Sequence, residues 1–137
     1  MPAPDFLDTN ILVYSYDASD HRKQQIAQGL VRKALAGDIL TSAQVIAEFA
    51  TILLHKLTPP AKPRDVIAIL DTLEPIKVVP IDSETVRRAV EIKSRYGLHF
   101  YDGMIVASAE GAGCRRVWSE DLNAGQIYFG VTVENPF

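Results

Sequence analysis

The residues of this chain whose type and setting suggest chemistry are four acids: Asp8, Glu48, Asp102 and Asp121. Asp8 follows directly on the apolar pair Phe6-Leu7, and Asp121 follows Arg116-Val117-Trp118 across Ser119-Glu120. Asp102 opens a run of small residues, and Glu48 lies inside an apolar helical stretch. Carboxylates gathered in one place repel: two unit charges about 4 Å apart cost about 4 kcal/mol at an effective dielectric near 20. A hard divalent cation removes that cost, and Mg²⁺ prefers carboxylate and water oxygens in octahedral geometry. Zinc is disfavoured, because neither His nor Cys accompanies the acids at ligand spacing. A carboxylate-held Mg²⁺ suits phosphodiester hydrolysis, since it neutralises phosphate, acidifies water and stabilises a leaving oxygen. Thr9, Asn10 and Ser119 stand beside the acids and could orient them, or a water, through hydrogen bonds. Glu120 belongs to the same supporting group and competes with Asp121 for the place of the fourth acid.

Each acid also has a purely structural account. Asp8 and Asp102 suit helix starts, where Asp accepts backbone hydrogen bonds and faces the positive end of the helix dipole. Glu48 projects from the edge of a stripe centred on Val45, Phe49 and Ile52, and Asp121 could be a polar turn residue. What joins them is the elements that carry them. Phe6-Leu7, Asp38–Thr41, Lys77–Ile81, Arg116–Trp118 and Val131–Val133 read as strands, the third of them buried despite Pro80. Between them run helical patterns: Ile11–Tyr16, a stripe from Ile26 to Leu35 stopped by Gly37, and a stretch capped by Ser42. Further helices carry Val66–Leu73, Val86–Ile92 closed at Gly97, and Asp102–Ala112, while Thr58–Pro63 is a connection. Strands alternating with helices predict a three-layer α/β/α sandwich around a central, mainly parallel sheet of four to five strands. In such sheets ligands bind beyond the carboxyl ends of the strands, where these acids fall.

The composition limits the rest. A chain of 137 residues with 47% hydrophobic and 23% charged residues is expected to be one globular domain spanning 1–137. The start Met1-Pro2-Ala3-Pro4-Asp5 lacks the basic and apolar pattern of a signal peptide, and no apolar stretch approaches membrane-spanning length. A soluble cytoplasmic protein is therefore expected, with no membrane partner. One cysteine, Cys114, excludes an internal disulfide and reads as a packed thiol. The net charge of −3 runs against a generic nucleic-acid binder. Setting the four acids aside leaves thirteen acids against fourteen bases, a balance of +1, so the acidic total is partly the signature of the suspected metal site.

Four segments together resemble the acidic motifs of PIN-domain nucleases, in order: Leu7-Asp8-Thr9-Asn10-Ile11-Leu12, Ile46-Ala47-Glu48-Phe49, Tyr101-Asp102-Gly103-Met104-Ile105-Val106-Ala107-Ser108-Ala109 and Trp118-Ser119-Glu120-Asp121-Leu122. The ending, from Asn123 to Phe137, is similar to the tail common in VapC-type toxins of prokaryotic toxin–antitoxin pairs. The resemblance covers essentially the whole chain. It implies an endoribonuclease dependent on Mg²⁺ or Mn²⁺, a homodimer, and a cognate antitoxin that lays a segment across the acidic groove. It puts the family's acids on Asp8, Glu48, Asp102 and Asp121, with Asp8 and Asp102 closest to the metal. Ser119 stands where the family usually has Thr, and Gly103 where Ala is commoner, which should weaken the helix start.

The other polar and aromatic residues point elsewhere. His21, His55 and His99 read as surface or packing residues, Trp118 as core, and Phe100, Tyr101, Tyr14 and Tyr16 as packing aromatics that could also stack on bases. The doublets Arg22-Lys23, Arg32-Lys33, Arg87-Arg88 and Arg115-Arg116 are solvated faces, from which contacts to an RNA backbone would be drawn. Two other readings compete. One is an inert PIN-like module that binds RNA or protein without cutting. The other is an aspartyl-phosphate phosphatase or receiver domain with Asp8 as nucleophile, although Asn10 stands where the phosphatase pattern wants a second Asp.

Overall fold

The computed structural model describes residues 2–137. Six strands and six helices follow in the order β1 (Asp5–Leu7), α1 (Thr9–Tyr16), α2 (His21–Leu35), β2 (Ile39–Ser42), α3 (Ala43–His55), α4 (Pro63–Thr72), β3 (Val78–Val79), α5 (Ser83–Tyr96), α6 (Phe100–Gly111), β4 (Arg116–Trp118), β5 (Ile127–Tyr128) and β6 (Val131–Glu134). The strands form one sheet in the order β3-β2-β1-β4-β6-β5. Every pairing is parallel except that of β5 with β6. The result is a three-layer α/β/α architecture.

The helices begin where short polar side chains can take up free backbone donors. Asp8 caps α1, Asp20 caps α2, Ser42 caps α3 and Asp82 caps α5. Glycines close two of them in the left-handed region: Gly37 (φ 98°) just beyond α2, and Gly97 (φ 74°) at the end of α5. The central β1 has Phe6 and Leu7 fully buried, and Ile11, Leu12, Val45, Phe49, Val106, Val117 and Val133 pack into the same core. Residues Gly103 to Ala109 of α6 are all buried. Gly103 lets α5 cross close by, since a Cβ there would meet the Ala89 carbonyl oxygen at 3.0 Å. Glycine at this position thus follows from helix–helix contact.

The structure corrects the expected sheet in two places. It has six strands rather than four to five, because Ile127–Tyr128 forms a hairpin with β6. The two residues of the turn, Phe129 (φ 46°) and Gly130 (φ 84°), both take positive φ, the two-residue hairpin geometry usually marked by Asn-Gly. Phe129 gives no such mark; it is held by its amide donating to the Tyr96 hydroxyl (3.1 Å) and by the Arg88 guanidinium lying 3.8 Å from its ring centre. The Lys77–Ile81 strand is not buried: only Val78–Val79 pairs, at the sheet edge, and Val78 is exposed. Pro80 cannot donate to a ladder, which ends the pairing there. Two smaller differences concern α6 and Trp118. The helix begins at Phe100, not Asp102, with His99 as its cap. Trp118 is half-buried, and its indole N–H donates to Asp5 (3.1 Å).

Candidate active site

Asp8 is the last extended residue after β1 and the cap of α1, and it is 6% exposed. One carboxylate oxygen accepts the Thr9 amide (2.7 Å), the other the Ser119 hydroxyl (2.7 Å). Burial nonetheless pushes its pKa up to about 6, against the lowering effect of those two bonds and with further upward pressure from Glu48 and Asp121. Ser119, fully buried at the end of β4, ties the loop together. While its proton goes to Asp8, its oxygen accepts the amides of Asp121 (3.1 Å) and Leu122 (3.3 Å) and the Asn10 side-chain amide (3.3 Å). Asn10 also donates to the Asp121 carboxylate (3.1 Å), while its carbonyl accepts the Glu120 amide (3.2 Å).

Glu48, half-buried on α3, has both oxygens held. The Thr9 hydroxyl donates to one (2.6 Å) and the Gln44 side-chain amide to the other (2.9 Å). The same Gln44 nitrogen donates to the Tyr101 carbonyl (2.9 Å), joining α3 to the first turn of α6. Asp102, in that first turn, is exposed. Partial burial raises its pKa first of all; His99 lowers it, and Glu48 and Asp121 raise it. Four elements therefore deliver Asp8, Glu48, Asp102 and Asp121 to one rim of the sheet, close enough to act on one another's protonation.

The structure brings Thr9, Asn10 and Ser119 to these acids and turns Glu120 away. The Glu120 carboxylate accepts from Lys23 (2.5 Å) and from the Tyr14 hydroxyl (2.6 Å). Those two bonds, Lys23 first, hold its carboxyl below the usual range. Asp121, not Glu120, faces Asn10 and the Asp8 neighbourhood. Gln44 and His99 were not singled out by the sequence. Gln44 carries a signal in retrospect, because it lies one helical turn before Glu48 on α3. Cys114 is buried, and burial raises its thiol pKa to about 11, which removes it as a nucleophile at neutral pH.

The donor set at the rim is all oxygen and suits a hard cation. Among the described residues no three His, Cys, Asp or Glu side chains converge tightly enough to cage an ion by themselves. Burial is the main cause of the raised pKa values of Asp8 and Asp102, and the neighbouring carboxylates Glu48 and Asp121 add a smaller upward push that a bound cation would relieve.

Comparison with known proteins bears on the family and the fold. The family model described as PIN domain matches residues 6–130. No curated protein sequence matches the chain. Among solved structures, FitAcB from Neisseria gonorrhoeae superposes with a TM-score of 0.71 at 19% identity, over 96% of this chain and 97% of that one. A toxin–antitoxin complex from Klebsiella pneumoniae gives 0.68 at 17% identity, over 97% and 98% of the two chains. VapC20 of Mycobacterium tuberculosis, a sarcin–ricin loop cleaving toxin, gives 0.65 at 20% identity, over 87% and 91%.

Proposed function

The chain belongs to the PIN-domain family, and from that premise we propose that it is a metal-dependent endoribonuclease, the toxin of a toxin–antitoxin pair. In this reading residues 1–137 form one nuclease domain that acts in the cytoplasm on RNA. Among the described residues no helix is long and apolar enough to cross a membrane. The observation that carries the proposal is the convergence of Asp8, Glu48, Asp102 and Asp121 on the rim where β1 and β4 end.

Mg²⁺, or Mn²⁺ in its place, would be held by Asp8 and Asp102 with Glu48 and Asp121 around it, and supplies charge neutralisation at the scissile phosphate and acidification of the attacking water. The chain's own residues do the positioning. Ser119 and the Thr9 amide fix the two Asp8 oxygens, so the carboxylate keeps one orientation. Thr9 and Gln44 fix Glu48 in the same way, and Asn10 steadies Asp121. Glu48 and Asp121, held by Thr9, Gln44 and Asn10, would orient the water for in-line attack, which would leave 5′-phosphate and 3′-hydroxyl ends. Against a phospho-accepting Asp8 stands Asn10, which occupies the place of the second Asp of the phosphatase pattern and spends its side chain on Ser119, Asp121 and the Glu120 amide.

The toxin role is supported by likeness to the Klebsiella toxin–antitoxin complex and to the VapC20 toxin, at identities that speak for the fold. A cognate antitoxin would inhibit by placing a cationic side chain among the four acids, and a homodimer would set two such grooves together. The direct test is cleavage of total cellular RNA by the purified protein. Mg²⁺ should support cutting, EDTA should stop it, and Asp8→Asn should lower it by at least a hundred-fold with the fold intact. Undiminished cutting by that variant, or in EDTA, would refute the proposal.

A further inference from the structure

A groove leads away from the acids, sharing Glu48 and Gln44 with them and otherwise lined by residues that the proposed chemistry does not use. Its volume is about 520 Å³, and it is lined by Gln44, Ala47, Glu48, Thr51, Ile52, Lys56 and Tyr101. It runs along the outer face of α3, from Glu48 at the acidic rim to Lys56 at the end of the helix. Tyr101 forms the other wall, immediately before Asp102, and 55% of it is exposed. Its ring is already stacked against His99, with centroids 5.9 Å apart and planes 27° from parallel. Its backbone is tied down by the Gln44 amide at 2.9 Å. The Gln44 carbonyl oxygen is itself buried and has no hydrogen-bond partner among the described residues. That orientation of the amide is fixed, because reversing it would set its oxygen against the Glu48 carboxylate and the Tyr101 carbonyl.

A fixed aromatic ring, an apolar floor of Ala47 and Ile52 and the Lys56 ammonium lie together next to a carboxylate cluster. Lys56 makes no ion pair among the described residues. The ring suits a nucleobase, since every base has a π-face to stack. The ammonium suits a phosphate, and its charge is opposite to that of the rim at the other end of the groove. We propose that this groove is the subsite for the nucleotide that flanks the scissile phosphate, with its base on Tyr101 and its outer phosphate on Lys56. The assignment rests on the nuclease reading and adds to it the residues that grip the substrate.

Binding separates the two ideas. The probe is a fluorescein-labelled, mixed-sequence single-stranded RNA of twelve nucleotides, titrated by anisotropy with full-length Asp8→Asn protein so that nothing is cut. In that background Tyr101→Ala should weaken binding about ten-fold, while Tyr101→Phe stays within about two-fold of the parent. Lys56→Ala should weaken binding about five-fold and flatten its salt dependence by close to one counterion. Thr51→Glu, an exposed change that adds a negative charge inside the groove, should weaken binding without altering the melting temperature. Equal affinity for Tyr101→Ala, Lys56→Ala and Thr51→Glu would overturn the subsite, and the nuclease reading would survive if the wild type still cut RNA. Absence of both binding and cutting would remove the nuclease reading and the subsite with it. A change of molecular mass with Tyr101→Ala at unchanged affinity would also overturn the subsite and mark the face as a contact between copies.

Discussion

At neutral pH the folded chain must keep a negative charge on Asp8, which is almost sealed from water. Its pKa of about 6 lies above the ordinary value of 3.8, so the folded state binds the proton more tightly than the unfolded chain does. Stability from this group is fully present below pH 3.8 and is lost as the pH rises through about 6. A shift of this size corresponds to about 3 kcal/mol. Asp8→Asn removes the charge and keeps an effective helix cap. Differential scanning fluorimetry without metal should therefore show the variant melting several degrees above wild type at pH 8, with the gap closing by pH 4. Mg²⁺ should raise the wild-type melting temperature and leave the variant unmoved. Identical melting at pH 8 would mean that Asp8 carries no such strain. A second prediction separates the adjacent acids. Asp121→Asn should lower the cleavage rate at least ten-fold. Glu120→Gln, which loosens only the bonds to Lys23 and Tyr14, should leave the rate within about three-fold and slightly lower the melting temperature. A reversed order in steady-state kinetics would reassign the fourth acid.

At the scale of elements, what the sequence discloses depends on whether a local rule governs the element. The helix that carries Glu48 was legible because Ser42 and an apolar repeat announce it, and Ser42 does cap it. The β5–β6 hairpin was not legible, because Phe129 takes positive φ through its contacts with Tyr96 and Arg88, residues more than thirty positions away. The strand at Lys77–Ile81 misled for a related reason: β-branched residues signal a strand but not whether both its sides are covered. Gly103 looked like a weakness in α6 and is instead where α5 passes over it. Gly103→Val should destabilise the protein by about 1–3 kcal/mol in urea unfolding. It should also reduce cleavage, because α6 has to shift while carrying Asp102. An unfolding midpoint equal to the wild type would show that the helices have room to part.

For the molecule as a whole, Asp8 and Asp121 were legible as acids just beyond strands and Glu48 and Asp102 as acids carried by helices, and their mutual arrangement was not. Asp8 and Ser119 are 111 residues apart in sequence and 2.7 Å apart in space. Only the sheet order reveals that β1 lies between β2 and β4. The charge pattern has the same origin. A net −3 describes the chain as a list, whereas the fold concentrates the excess acid at one rim and leaves Lys56 at the end of a groove leading from it. Gln44 was overlooked because its importance lies in two partners on different elements, Glu48 and the Tyr101 carbonyl.

The sheet order also imposes a schedule on synthesis. A growing chain makes β1 first, and its partner β2 follows soon after, yet the strand on its other side is β4, from the last quarter of the sequence. The Asp8 amide waits for the Trp118 carbonyl at 3.1 Å, and the Asp8 carboxylate waits for the Ser119 hydroxyl. Until the segment from β4 to β6 has left the ribosome, Asp8 lacks that support and Asp121 has no place beside it. On the proposed function, a chain assembled in this order would be inert for most of its own translation, because its acidic rim is completed only when β4 and the loop after it are in place.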